Sequence, residues 1–333
     1  MVEIKNLCKN FGDKKAVIDV SFNIEEGEIV GFLGPNGAGK STALNILTGF
    51  LSATSGSARI DGIDILENPL EAKKKIGFLP EQPPLYPEMT VKEYLNFCFS
   101  LKNCTLPRKQ HVREICEVVK IVDVYGRMIK NLSKGYRQRV GIAQSLIGNP
   151  EVLIFDEPTV GLDPKQIIEI RNLIRHLGKN HTVILSTHIL PEVQSVCDRI
   201  VVINKGRIVA NERTENLINA VEGTKRLVAK IVGPEDSVLN LLRSTPGVKY
   251  AEKLGRRDTD SVSYLIESEE RVDVRKPIFY ALSKATYPLI GLEGDEINLE
   301  DIFIRLVDPD KKDKTEKRRR QTPPASRGSA EKG

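Results

Sequence analysis

The segment Gly34-Pro35-Asn36-Gly37-Ala38-Gly39-Lys40-Ser41 has the spacing Gly-x4-Gly-Lys-Ser, and Thr42 follows it. Glycines at 34, 37 and 39 let the backbone turn its N–H groups toward an anion, and a helix starting behind them adds its own free N–H groups and positive dipole end. Lys40 would reach the β- and γ-phosphates of a nucleotide, and the Ser41 hydroxyl would ligand a magnesium ion bridging them. The second chemical stretch is Val152-Leu153-Ile154-Phe155-Asp156-Glu157, a short apolar run that ends in two acids. Ligands of parallel sheets bind at the C-terminal tips of the strands. There Asp156 is suited to hold magnesium, and Glu157 to polarise a water aimed at the terminal phosphate. Alone, two acids at a strand end can simply cap a turn; beside a phosphate loop they point to hydrolysis.

The elements that position these groups follow from periodicity. Glu28 to Leu33 reads as a buried strand, and Ala43, Leu44, Ile46 and Leu47 fall on one helix face. Val2 to Leu7 and Ala16 to Ile24 read as antiparallel strands joined by a turn at Asn10 to Asp13 that carries Phe11, and Asp61-Gly62 reads as a hairpin turn. Ile76 to Leu79 is a short strand before a proline-rich loop. Thr90 and Glu93 make a capping box for a helix with Val91, Tyr94, Leu95, Cys98 and Leu101 inward, within a helical region that runs to about 149. Val152 to Phe155 and Thr182 to Ser186 are strands around a helix from Pro164 to Leu177. The fold class is therefore α/β: a mainly parallel sheet with helices on both faces, antiparallel N-terminal strands and a helical subdomain at about 88–149.

Near Asn219 to Lys225 the pattern resets. Arg226 to Leu292 reads β-α-β-β-α-β, which suggests a small ferredoxin-like domain. It contains no His and no Cys, and a regulatory or dimerising module is the reading. Asn298 is expected to cap a last helix through Leu306, before a disordered tail. The expected domains are residues 1–220, an accessory α+β domain at 221–308 and a basic tail at 309–333.

The net charge of +5 resides in the last 24 residues, which hold nine Lys or Arg against four Asp or Glu, so the body is neutral and nucleic acid is not an expected partner. The five cysteines form no C-x-x-C pair and read as reduced core thiols. No apolar run reaches the roughly 18 residues of a membrane span, and a soluble cytoplasmic chain is expected.

Three further stretches complete a pattern: Leu132-Ser133-Lys134-Gly135-Tyr136, Val160-Gly161-Leu162-Asp163, and a histidine, His188, directly after Leu185-Ser186-Thr187. With the phosphate loop and the Asp156-Glu157 strand end, they resemble the ATP-hydrolysing subunit of an ABC transporter over about residues 1–220. The resemblance implies that Phe11 stacks on adenine and that Gly34, Pro35, Asn36, Gly37, Ala38, Gly39, Lys40, Ser41 and Thr42 bind ATP and Mg2+ together with Asp156. It makes Glu157 the general base and puts His188 at the γ-phosphate. Phe11 as a hydrophobic turn anchor and His188 as a satisfied strand-end histidine are the plain alternatives.

The same resemblance implies that Ser133, Lys134, Gly135 and Tyr136 complete the ATP site of an opposing subunit, with Asp163 at the seam coupling two sites; Ser133 is otherwise an ordinary helix cap. The family usually reads Leu-Ser-Gly-Gly-Gln, so Lys134 and Tyr136 are departures. In the loop Leu79-Pro80-Glu81-Gln82-Pro83-Pro84, either Glu81 or Gln82 takes the place of the glutamine that couples metal and membrane partner, Glu81 being in register.

The implied partners are integral membrane permease subunits and a second ATPase, itself or a paralogue, on the cytoplasmic side of the cell membrane. The motif variants resemble bacterial exporter ATPases of the drug, sodium, polysaccharide and gliding-motility kind. The alternative is a soluble ABC ATPase acting on ribosomes or DNA, which one phosphate loop and the lack of a heptad run before Ser133 disfavour. Lys317 to Arg320 would add a weak contact with anionic lipid, at about 1 kcal/mol per basic residue near the surface, unless the tail is simply solvated.

Overall fold

The computed structural model describes residues 2–216, 226–256, 260–269 and 272–294. The helix expected from Asn298, the basic tail and the pattern reset near residue 220 lie outside them. The chain divides into two compact units, Met1–Thr214 and Glu215–Gly333.

In the first unit two sheets face each other. Strands β1 (Val2–Phe11), β2 (Lys14–Ile24), β4 (Ser55–Ile60) and β5 (Ile63–Asp64) form an antiparallel sheet in the order β2-β1-β4-β5. Phe11 is the last residue of β1 and not part of the turn, because pairing with Lys14 continues past three register shifts. The second sheet has β3 (Ile29–Leu33), β6 (Ile76–Leu79), β7 (Val152–Asp156), β8 (Thr182–Thr187), β9 (Arg199–Asn204) and β10 (Arg207–Arg213), in the order β10-β9-β3-β8-β7-β6. All pairs in it are parallel except β10 with β9. β3, β7 and β8 are buried along their whole length, as strands covered on both faces must be.

One face of that sheet presents Val30, Phe32, Val152, Ile154, Ile184, Val201 and Ile203 to helix α1 (Lys40–Leu47) and to the antiparallel sheet. Phe22 stacks on Phe32 there, ring centroids 5.7 Å apart. The other face receives α5 (Lys134–Leu146) at Gly77 and Leu79, and α7 (Leu190–Val196) at Gly31, whose missing side chain lets Val193 close onto the strand. Between these helices run α2 (Pro69–Lys74), α3 (Val91–Leu101), α4 (Arg108–Val118) and α6 (Pro164–Leu177).

The capping box is formed: Glu93 N–H donates to Thr90 Oγ1 at 3.2 Å, and Thr90 N–H to Glu93 Oε2 at 2.8 Å. Val91, Tyr94, Leu95 and Cys98 are buried as expected, but Leu101 is 70% exposed. The buried stripe of α3 turns toward Phe99 and the half-buried stem of Lys102, and Leu101 lies off its edge. Of the cysteines, Cys98, Cys116 and Cys197 are buried free thiols, whereas Cys8 and Cys104 are only half-buried.

The second unit contains β11 (Arg226–Ile231), helix Glu235–Ser244, β12 (Val248–Arg256), β13 (Val262–Ser268), helix Arg275–Lys284 and β14 (Leu289–Gly294). Its antiparallel sheet has the order β12-β13-β11-β14, with the first and third strands central, which is the ferredoxin-like arrangement. Tyr264, Ile231 and Ile266 close its core with Val238, Leu242, Ile278 and Leu282 from the two helices.

Lys102, just beyond α3, donates to Ile147 O at 2.9 Å, and burial brings its pKa from 10.5 down to about 8. Between those values the folded protein releases a proton that the unfolded chain keeps, so the cost of burying the charge is full below about pH 8 and fades above it. Any stability advantage of Lys102→Met over the native chain should therefore shrink as pH rises from about 7 to about 10 in paired urea titrations; a constant difference would refute the buried charge.

Candidate functional site

β3 ends at Gly34, and the chain turns back across the carboxyl edge of the sheet before entering α1. A side chain at Gly34 would strike the Ile203 carbonyl. Gly39 has φ +110 and passes so near Ala16 O that a Cβ would collide, so only glycine fits before the helix. Ala38 N–H donates to Pro35 O at 3.1 Å, and Ala38 O accepts Gly206 N–H at 2.9 Å, which pins the turn to the β9–β10 hairpin. No side chain caps α1, leaving its first amides open for an anion. Asn36, Gly37 and Ser41 are exposed, Thr42 is half-buried, and Lys40 is buried with its Nζ donating to Gly34 O at 2.7 Å.

Four chemically active side chains meet at this edge. Glu157 follows β7 directly; its N–H donates to Ser186 O on β8 at 2.9 Å, and its φ of 48° places it in the left-handed region, uncommon for a non-glycine residue. Its carboxylate is buried, with Lys40 Nζ 3.4 Å from Oε1 and His188 Nδ1 3.0 and 2.9 Å from the two oxygens. The third acidic oxygen of note belongs to the preceding residue: Asp156 Oδ1 is buried without a hydrogen-bond partner, as is Ser186 Oγ. Asp156 and Ser186 are register partners, and in parallel strands such partners face the same side, here the side of α1. An orphaned carboxylate oxygen in a pocket of hydroxyls beside a phosphate loop fits a hard divalent cation with oxygen ligands.

The signature residues are grouped elsewhere. Ser133 caps α5, accepting from Tyr136 N–H at 3.4 Å, while the Tyr136 hydroxyl donates to Asp123 at 2.7 Å, which raises its pKa. Gly135 lies against the Gln166 side chain of α6, where a Cβ would come within 2.7 Å. Asp163 caps α6 through Gln166 N–H at 2.9 Å. Lys134, exposed, rests its amine on Gly161 in the turn before Asp163. Signature and turn are thus brought together. No hydrogen bond or ion pair among the described residues joins Ser133, Lys134, Gly135, Tyr136 or Asp163 to the phosphate loop.

Phe11 is 48% exposed with Lys9 Nζ 5.2 Å from its ring centre. Glu81 and Gln82 are both exposed in the bend after β6, and neither side chain hydrogen-bonds within the described residues. Three residues with no place in the sequence reading border the site, Thr159, Arg171 and Glu192, together with Thr187, which the sequence marks only as the residue before His188. The available signal was two polar residues, Ser186 and Thr187, ending an otherwise apolar strand, followed by a glutamate one helical turn beyond His188.

Gly161 has φ +69 and carries the Lys134 amine. Gly161→Ala should lose about 1–2 kcal/mol from the left-handed backbone alone, seen as a lower denaturation midpoint that Lys134→Gly does not restore; no loss would show that the turn relaxes freely.

The sequence profile of the family described as ABC transporter matches residues 17–160. The "Uncharacterized ABC transporter ATP-binding protein YhcH" of Bacillus subtilis is 34% identical over 89% of this chain and 98% of its own length. The "Linearmycin resistance ATP-binding protein LnrL" of the same organism is 31% identical over 92% of this chain and 98% of its own. Among solved structures, a dimeric ATP-binding cassette in a post-hydrolysis state with ADP and Pi matches with a TM-score of 0.58 at 30% identity, over 64% of this chain and 99% of that one. The phosphate loop meets a buried glutamate, the likeness to two such proteins spans about nine-tenths of the chain, and this chain belongs to the ATP-binding proteins of ABC transporters.

Proposed function

We propose that this ATPase is the energy-coupling subunit of an exporter, working as a head-to-tail dimer on separate permease subunits at the cytoplasmic face of the membrane. The observation that carries the hydrolytic half is the meeting of Lys40, Glu157 and His188 at one strand edge, with Asp156 Oδ1 unpartnered beside them. Lys40 and the open amides of α1 bind the β- and γ-phosphates, and Phe11 offers an exposed ring to the adenine. Ser41 and Asp156, with Glu81 as a candidate third ligand, would hold Mg2+, which supplies charge neutralisation between the phosphates when bound. Glu157 accepts hydrogen-bonded water and draws its proton as it approaches the γ-phosphorus, and His188 orients that carboxylate and meets the phosphate oxygens.

Dimerisation is supported by placement. Ser133 and the N-terminus of α5 are exposed and apart from the chain's own phosphate loop, so their free donors are available to the ATP of a facing subunit, a second copy or a paralogue. Among the described residues no helix is long and apolar enough to cross a membrane; the likeness to ATP-binding proteins of ABC transporters supports separate permease subunits. The likeness to a linearmycin resistance protein favours export.

Glu157→Gln should keep ATP binding while lowering turnover about 10²-fold or more, and should elute as an ATP-dependent dimer in gel filtration. The same variant captured from detergent-solubilised membranes with ATP should bring a polytopic membrane protein in near-equal amount; ribosomes or DNA-repair proteins instead would overturn the transporter reading. Gln82→Ala should leave turnover largely intact while Glu81→Ala lowers it, and the opposite ranking would transfer the coupling role to Gln82.

A further inference from the structure

Glu192 stands on α7, four residues beyond His188, and is only 1% exposed. A carboxylate so buried needs donors on every side. It receives the Thr159 hydroxyl at 2.7 Å on Oε1 and the Thr187 hydroxyl at 2.9 Å on Oε2, and Arg171 Nη2 of α6 lies 3.7 Å from Oε1. The threonines are themselves buried. Thr187 directly precedes His188, and its Oγ1 also accepts Ile189 N–H at 3.1 Å, so the two peptide neighbours of the histidine are joined through a hydroxyl that the carboxylate holds. Thr159 stands two residues after Glu157, in the turn where Val160 N–H donates to Glu157 O at 3.2 Å. Arg171 lies eight residues beyond Asp163 on the helix that Asp163 caps, and its Nε is buried without a hydrogen-bond partner, so its main anchor is Glu192.

We propose that Glu192 is the positioning residue of this ATPase: one buried carboxylate that sets the turn after Glu157, the strand end before His188 and the helix behind Asp163 in a single register. Its carboxylate acts through Thr159, Thr187 and Arg171. A left-handed residue such as Glu157 persists only where its surroundings over-determine it, and an imidazole that must meet both oxygens of that carboxylate tolerates displacements of a few tenths of an ångström at most. The Glu192 network supplies that over-determination from the side of the sheet away from α1. The inference rests on the roles given above to Glu157 and His188.

Steady-state ATP hydrolysis by the full chain tests it, with Glu192→Gln, Thr187→Val and Thr159→Val. Each should lower kcat about tenfold or more with KM for ATP within about twofold, because binding resides on the α1 side of the site. Thr187→Val with Glu192→Gln should be no slower than Glu192→Gln alone, since both act through one link. Multiplying losses, or a normal kcat in Thr187→Val and Thr159→Val, would overturn the proposal. Glu192→Gln keeps an acceptor and the side-chain volume; should it fail to fold, the two valine variants and their double mutant carry the same test. Glu157→Gln is run beside them. If it still turns over, the assignment of the base falls and the Glu192 proposal with it; if it is inactive while the valine variants are normal, only the Glu192 proposal falls.

Discussion

A carboxylate removed from water at the tip of a central strand costs several kcal/mol unless charges and donors surround it, and the first unit is arranged to surround Glu157. Lys40 comes from the loop after β3, His188 from the end of β8, and the backbone N–H of Glu157 itself is held by Ser186. Each of these requires strands β3, β8 and β7 to lie side by side and parallel, so that their carboxyl ends reach the same edge. The sheet order places the phosphate loop, the acids and the histidine on adjacent strands although they are distant in the chain. Packing then keeps the strands in place: α1 and the antiparallel sheet on one face, α5 and α7 on the other.

The same logic separates the site into two halves. Lys40, Glu157 and His188 converge on the strand edge, whereas Ser133, Gly135 and Asp163 are gathered on α5 and α6, with Lys134 laid over Gly161. Arg139 of α5 joins this second half to the rest, donating to Val119 O at 2.8 Å and to Glu169 of α6 at 2.7 Å. Lys134, in place of the usual small residue, thereby gains a contact with the turn that precedes Asp163. The second unit shares none of this chemistry among its described residues: its core is apolar, and Arg226 pairs with Glu267 across the β11–β13 register.

Much of the strand edge was legible in the sequence because its determinants are local. Gly-x4-Gly-Lys-Ser, a buried run ending in Asp-Glu and the Thr90–Glu93 box each describe a few consecutive residues whose backbone state follows from their own chemistry. The β-α-β-β-α-β order of the second unit was legible for the same reason. What was not legible depends on contacts across the fold. Helix α7 and strands β9 and β10 carry no chemical motif, and the run Ile200 to Ile203 is too short to tell a strand from a buried helix segment by its pattern alone. Leu101 had the right spacing and the wrong side, since the direction of a helix stripe is set by its neighbours. Glu192 looks like an ordinary exposed helix residue until Thr159, Thr187 and Arg171 are folded around it. Glu81 and Gln82 remain alike in the structure, both at the surface.

The edge strand β6 has a mechanical meaning. It pairs in parallel with β7 from Ile76 with Val152 through Leu79 with Phe155, and the loop of residues 80–87 leaves from its carboxyl end, next to the point where β7 delivers Asp156 and Glu157. Gln144 of α5 clasps Phe78 O at 2.6 Å on the same strand. A pull on that loop along the strand axis loads the whole ladder in shear, all rungs at once, instead of unzipping it rung by rung. Four consecutive register pairs thus tie the base of the loop to the strand that carries the acids, so separating the two along the strand axis means breaking those rungs together.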